Sequence, residues 1–106
     1  MREIKFRVYD STNDIMVFQS ASRRDDFWYP FGFEVRGELM QYTGLKDKNG
    51  TEIYEGDILQ RNDNSITVVE FENGMFVTKY DALMWELYEN SPIVIGNIYQ
   101  NPDLLR

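Results

Sequence analysis

The sequence predicts an all-β, mainly β fold: a small barrel or a curled antiparallel sheet carrying one or two short helical turns. Three observations point there. Apolar and polar residues alternate in short runs, as in half-buried strands. Clusters of Asn, Asp, Gly and Ser separate those runs. Helical spacing of apolar residues appears in one stretch, around Leu83 to Tyr88. At 106 residues, residues 1–106 are expected to form one domain.

Ile4, Phe6 and Val8 alternate with Lys5, Arg7 and Tyr9, which predicts a strand with the first set facing inward. Ser11-Thr12-Asn13-Asp14 supplies turn chemistry, and Ile15 to Phe18 returns as the second strand of a hairpin. Residues 19–37 read as irregular, because Pro30 and Gly32 interrupt any long element. Glu38 to Thr43 is the next strand, with Met40 and Tyr42 on one face and Leu39, Gln41 and Thr43 on the other. Asp47-Lys48-Asn49-Gly50 is a turn, since Asn and Gly accept positive φ at low cost. Glu52 to Tyr54 pairs briefly, Gly56-Asp57 leads into a strand over Ile58 to Arg61, and Asn62 to Ser65 turns the chain.

Ile66 to Glu72 is rich in β-branched residues and reads as one strand. Asn73-Gly74 then closes a two-residue hairpin, with Met75 to Lys79 returning. Asp81 is placed to cap a short helix over Ala82 to Tyr88, with Leu83, Met84 and Leu87 on its apolar stripe. Ile93 to Tyr99 forms a last strand with a bulge near Gly96. Asn101-Pro102-Asp103 starts a terminal helical turn that would tuck Leu104 and Leu105 inward. The order Gly-Asp-strand, turn, strand, Asn-Gly, strand resembles the small SH3-like barrels.

Three ordered blocks carry a more specific likeness. The first runs from Met1-Arg2-Glu3-Ile4-Lys5-Phe6 to Asp10, and the second from Met40-Gln41-Tyr42-Thr43-Gly44 to Tyr54-Glu55-Gly56-Asp57-Ile58. The third joins Ile95-Gly96-Asn97-Ile98-Tyr99 to Asn101-Pro102-Asp103-Leu104-Leu105. Together they resemble the YopX family of proteins from phages and prophages of Gram-positive bacteria. The resemblance implies a mainly β fold, a phage or prophage origin and no established enzymatic activity. Residues 19–37 carry no part of it. Within the pattern, Tyr54, Gly56, Asp57, Gly96, Asn97, Tyr99, Asn101 and Pro102 have a structural reading. The glycines serve turns or close backbone approach, and Asp57 at a strand entry accepts backbone N–H groups.

Composition narrows the chemistry. The chain has no cysteine and no histidine, which excludes disulfides, thiolate nucleophiles, thiolate zinc sites and histidine proton shuttles. The segment Asp47 to Glu52 has the residue types of a calcium loop. Its glycine stands fourth, however, where an EF-hand places it sixth. The carboxylate pairs Glu55/Asp57 and Glu70/Glu72 each share a strand face, an arrangement read as a solvated face before an acid–base pair. No cofactor or metal is expected, and no enzyme.

The formal charge is −7, and residues 54–106 carry nearly all of it. That balance disfavours direct nucleic-acid binding, which draws on cations releasing counterions from phosphates. It suits solubility or a basic protein partner. No apolar run is long enough for a membrane span, and the charged alternating start is unlike a leader peptide, so a cytoplasmic location is expected.

Seven Phe, seven Tyr and two Trp give an aromatic content of 15%, and part of it is clustered. Phe27, Trp28, Tyr29, Phe31 and Phe33 follow Arg23 and Arg24, the composition of an interface anchor with a polar rim. With Trp85 and Tyr88 they are the candidate contacts for a protein partner or a second copy of the chain. A nucleic-acid-associated barrel, or an acidic mimic of DNA, is the alternative reading.

Overall fold

A computed structural model describes residues 3–18 and 38–106. The chain divides into two compact units, one up to Tyr42 and one from Thr43 to Arg106. Every strand pairing with a recorded register is antiparallel.

The first unit is a hairpin plus the start of a third strand. β1 (Phe6–Asp10) pairs with β2 (Ile15–Phe18), Val8 opposite Val17. On its other side β1 pairs with the beginning of β3 (Leu39–Lys46), Arg7 opposite Met40. The predicted alternation is present: Val8, Val17, Met40 and Tyr42 are buried, each such side chain contributing roughly 1.5–3 kcal/mol. Two residues depart from it. Ile4, expected inside, is exposed, whereas Arg7, expected outside, is buried. The hairpin turn is organised by Asp10, whose carboxylate accepts the N–H groups of Thr12 and Asn13 and the Asn13 side-chain amide. These bonds, the Asn13 side chain first, hold the Asp10 carboxyl below the ordinary aspartate range. Asp14 takes the left-handed conformation the turn requires, with φ 52°.

The second unit holds β4 (Glu52–Tyr54), β5 (Asp57–Gln60), β6 (Ile66–Val68), β7 (Glu70–Glu72), β8 (Met75–Val77), α1 (Leu83–Asn90) and β9 (Ile93–Asn97). β5 lies between β6 and β9, and β7 pairs with β8. Ile53, Leu59, Val69 and Leu83 form its core, with Leu45, Phe76, Leu87 and Val94 packed around them. The Asn73-Gly74 turn has φ of 52° and 81° at its two residues, the type I′ geometry that matches strand twist.

Asp47 does more than open its turn. One carboxylate oxygen accepts the N–H groups of Asn49 and Thr51, both at 2.9 Å. The other accepts the Val94 N–H at 3.0 Å, tying the turn to β9. A carboxylate with this many backbone donors is a structural clip.

Several boundaries move. The strand expected over Ile66 to Glu72 breaks at Val69. Its N–H donates to the Asp57 carbonyl at 2.9 Å and its carbonyl accepts the Gly56 N–H at 2.8 Å, so its backbone stays turned to β5 while the pairing with β8 begins at Glu70. β8 ends at Val77 instead of Lys79, because Thr78 N–H turns to the Asp81 carbonyl. Leu104 and Leu105, expected to tuck in, are 39% and 44% exposed.

Candidate interface on the second unit

α1 is placed by its inward residues. Leu83 and Leu87 pack on the core, and Glu86, one turn on from Leu83, is 1% exposed. Its carboxylate meets the Arg61 guanidinium, Nε to Oε2, at 2.8 Å and accepts a bond from the Asn90 side-chain amide at 3.2 Å. A buried carboxylate needs such partners. The apolar stripe read from the sequence is therefore corrected at two positions: Glu86 takes the inward place and Met84 stands outside, 65% exposed. The cap is corrected as well. The helix starts at Leu83 with Ala82 as its N-cap residue and no side-chain cap. The Asp81 carboxylate instead accepts the Ala82 N–H at 2.7 Å, one residue too early to cap.

With Leu83 and Glu86 turned inward, the opposite face presents Met84, Trp85 and Tyr88. Trp85 is 52% and Tyr88 80% exposed. Their rings meet edge to face with centroids 6.0 Å apart, a favoured aromatic geometry. Large apolar side chains adjacent on one exposed face are the informative exception to ordinary surface composition. The other candidate contacts, Arg23, Arg24, Phe27, Trp28, Tyr29, Phe31 and Phe33, lie outside the described residues.

The motif residues form two backbone locks. In the first, Gly56 has φ 89°. The buried Asp57 carboxylate accepts the Tyr54 N–H at 2.7 Å across the turn. In the second, the Asn97 side-chain oxygen accepts the N–H groups of Tyr99 and Gln100, and its amide donates to the Gln100 side chain at 2.9 Å. Asn101 returns the favour, its side-chain oxygen accepting the Asn97 N–H at 3.1 Å. Pro102 begins the 3-10 helix to Leu105. The register of β5 against β9 shifts between Ile58 and Leu59, so that Ile95, next to Gly96, is the extra residue of a bulge.

A further cluster went unread in the sequence. Arg61 also stacks on the Tyr80 ring, 4.0 Å from its centroid, with the Lys79 ammonium at 5.2 Å. The nearby Ser65 hydroxyl and then the Lys79 charge hold the Tyr80 phenol below its ordinary value, against the opposing effect of burial. The available signal was that Arg61 and Lys79 are two of only three cations after residue 53. Cations that sparse in an acidic segment have nearby partners.

Beside this cluster runs an open groove of about 540 Å³. Ile66, Val68, Glu70 and Glu72 line it in one row, with Val77 and Leu105 among the other walls. Residues two apart on an extended chain share a face, which aligns the four.

The comparisons with known proteins agree with this architecture. The family model described as YopX protein matches residues 9–106. No curated protein matches the chain. Among solved structures, the crystal structure of protein EF1440 from Enterococcus faecalis is similar to it. That likeness covers 100% of both chains, with 28% sequence identity and a TM-score of 0.73. Among the described residues no helix is long and apolar enough to cross a membrane.

Proposed function

The chain belongs to the YopX family, and on that footing we propose that it is a non-enzymatic accessory module of a phage or prophage that works in the host cytoplasm by binding another protein or its own copies. One observation carries the reading: Trp85 and Tyr88 stand exposed side by side on a helix held from behind by Leu83 and Glu86. Aromatic anchors on a rigid element lose little conformational entropy on binding, and such residues dominate interfaces. The acidity of residues 54–106 supports a partner with a basic surface, which it would steer and orient. The lack of cysteine and histidine supports binding over catalysis.

The test is the doubly substituted Trp85→Ala/Tyr88→Ala protein. Sedimentation of the pure protein reads self-association, and capture from host lysate reads a partner. The expected result is loss of the associated species or captured partner with an unchanged melting temperature. Retention of both would overturn the α1 interface. Capture of a DNA-binding protein that is released by added duplex DNA would instead support the DNA-mimic reading.

A further inference from the structure

β6 is an edge strand, lying outside β5 in the order β6-β5-β9. Its pairing register sets Leu59 opposite Thr67. On either side, Arg61 N–H donates to the Ser65 carbonyl and Val69 N–H to the Asp57 carbonyl. Residues 65, 67 and 69 thus turn their backbone polar groups toward β5, and alternation turns those of Ile66 and Val68 away.

β8 would cover these outward groups if it continued past Val77. It does not. Its last pair with β7 is Glu70 opposite Val77, and the Thr78 N–H then turns to Asp81. The Lys79 N–H goes to the Thr67 hydroxyl at 3.1 Å and not to the β6 backbone. Among the described residues no strand lies against the outer edge of β6, and the groove opens there. Its floor is apolar at Ile66 and Val68. Next along the same row come Glu70 and Glu72, both exposed. Neither has a cation partner among the described residues, since the Lys79 ammonium on the groove wall sits over the Tyr80 ring.

We propose that the outer edge of β6 captures an extended segment of a partner protein by strand addition. The captured segment places β-branched side chains over Ile66 and Val68, and a lysine or arginine at its β8 end reaches Glu70 and Glu72. Main-chain hydrogen bonds supply affinity in this mode, and alternate side chains supply selectivity. The charge row selects a cationic segment over an acidic one. This site is separate from the exposed face of α1, so it stands or falls independently of the function proposed above.

The probe is the synthetic peptide acetyl-Lys-Lys-Val-Thr-Val-Thr-amide, titrated into the full-length protein and followed by amide shifts in NMR. Saturable shifts at Ile66, Thr67 and Val68 are expected. Glu70→Gln/Glu72→Gln should weaken binding at least tenfold, and replacing the two lysines of the peptide by glutamates should abolish it. Val68→Pro removes an outward N–H that the β5 ladder does not use, a position where an edge strand tolerates proline, and should abolish binding with the fold retained. Should that variant unfold, a peptide N-methylated on alternate residues tests the same bonds against the unaltered protein. Trp85→Ala should leave the titration unchanged. Absence of shifts at β6, or equal binding of the lysine and glutamate peptides, would overturn the proposal and leave Glu70 and Glu72 as charges that keep the edge from pairing with itself.

Discussion

The side chain of Asn101 fills the space into which any side chain on Gly96 would have to grow. A Cβ at Gly96 would lie 2.5 Å from Asn101 Oδ1, 2.7 Å from its Cγ and 3.0 Å from its Cβ. Asn101 cannot simply swing away, because that oxygen accepts the Asn97 N–H. Gly96→Ala should therefore destabilise the protein by about 1–3 kcal/mol, the usual cost of overpacking. Asn101→Ala should also destabilise, through the lost bond. The double substitution should cost less than the two single effects added together, since Asn101→Ala removes the two atoms nearest to the Gly96 methyl. Urea denaturation of the four proteins measures the coupling; strict additivity would mean the clash is absorbed elsewhere.

Gly74 makes a different case. Nothing lies within 4 Å of the position its Cβ would take, and its φ is 81°. The cost of Gly74→Val is then purely conformational, about 1–3 kcal/mol for a β-branched residue in the left-handed region. Equilibrium unfolding checks it, and a neutral result would mean the turn has relaxed to another type.

The Arg61–Glu86 pair should respond asymmetrically. Glu86→Ala removes the carboxylate that faces the Arg61 guanidinium, and should cost about 3–5 kcal/mol, the range for breaking a buried ion pair. Replacing both residues, as Arg61→Met/Glu86→Leu, should recover much of that loss, because apolar replacements remove the desolvation penalty with the pair. Thermal and chemical melts of the three proteins decide it; a double variant no better than Glu86→Ala would show that packing dominates.

Trp85→Ala should change stability by less than about 1 kcal/mol, as for surface substitutions, because half of the ring already faces solvent. A large drop in Tm would make Trp85 a structural residue and remove it from the interface.

Asp10 gives a pH signature. Its folded pKa lies below the ordinary aspartate value, so its stabilising effect is complete above that ordinary value and is lost as pH falls through the folded pKa. The difference in Tm between the native protein and Asp10→Ala should be constant near neutrality and shrink only in acid. NMR titration of the Asp10 carboxyl should give a midpoint below 3.8, the ordinary value.

Sequence legibility followed the range of the interaction. The Asn73-Gly74 hairpin, the first hairpin and the role of Asp57 as an acceptor of backbone N–H are all local, and residue identity sufficed to read them; its partner Tyr54 came from the structure. Glu86 was absent from the predicted stripe because its inward position depends on Arg61, a partner distant along the chain that no periodicity reveals. Met84 was misplaced for the same reason, since an apolar residue beside an inward-pointing carboxylate looks like core. The groove was illegible as well: it exists because β8 peels away at Thr78, a departure fixed by side-chain bonds and not by propensity. Its two glutamates were visible as a pair sharing a face, but not as the end of an apolar row.

The carboxylate of Asp47 has a consequence in time. Its bonds to Asn49 and Thr51 are local, and hairpin-scale structure forms in about 1–10 μs. Its bond to Val94 spans 47 positions. On a ribosome working at about 5–20 residues per second, Val94 is synthesised roughly 2–9 s after Asp47. Until Val94 has been made, the second carboxylate oxygen of Asp47 lacks that backbone donor, and β5, completed only at Gln60, lacks the neighbour that β9 supplies. The arrival of β9 covers one flank of β5 and satisfies Asp47 in the same step.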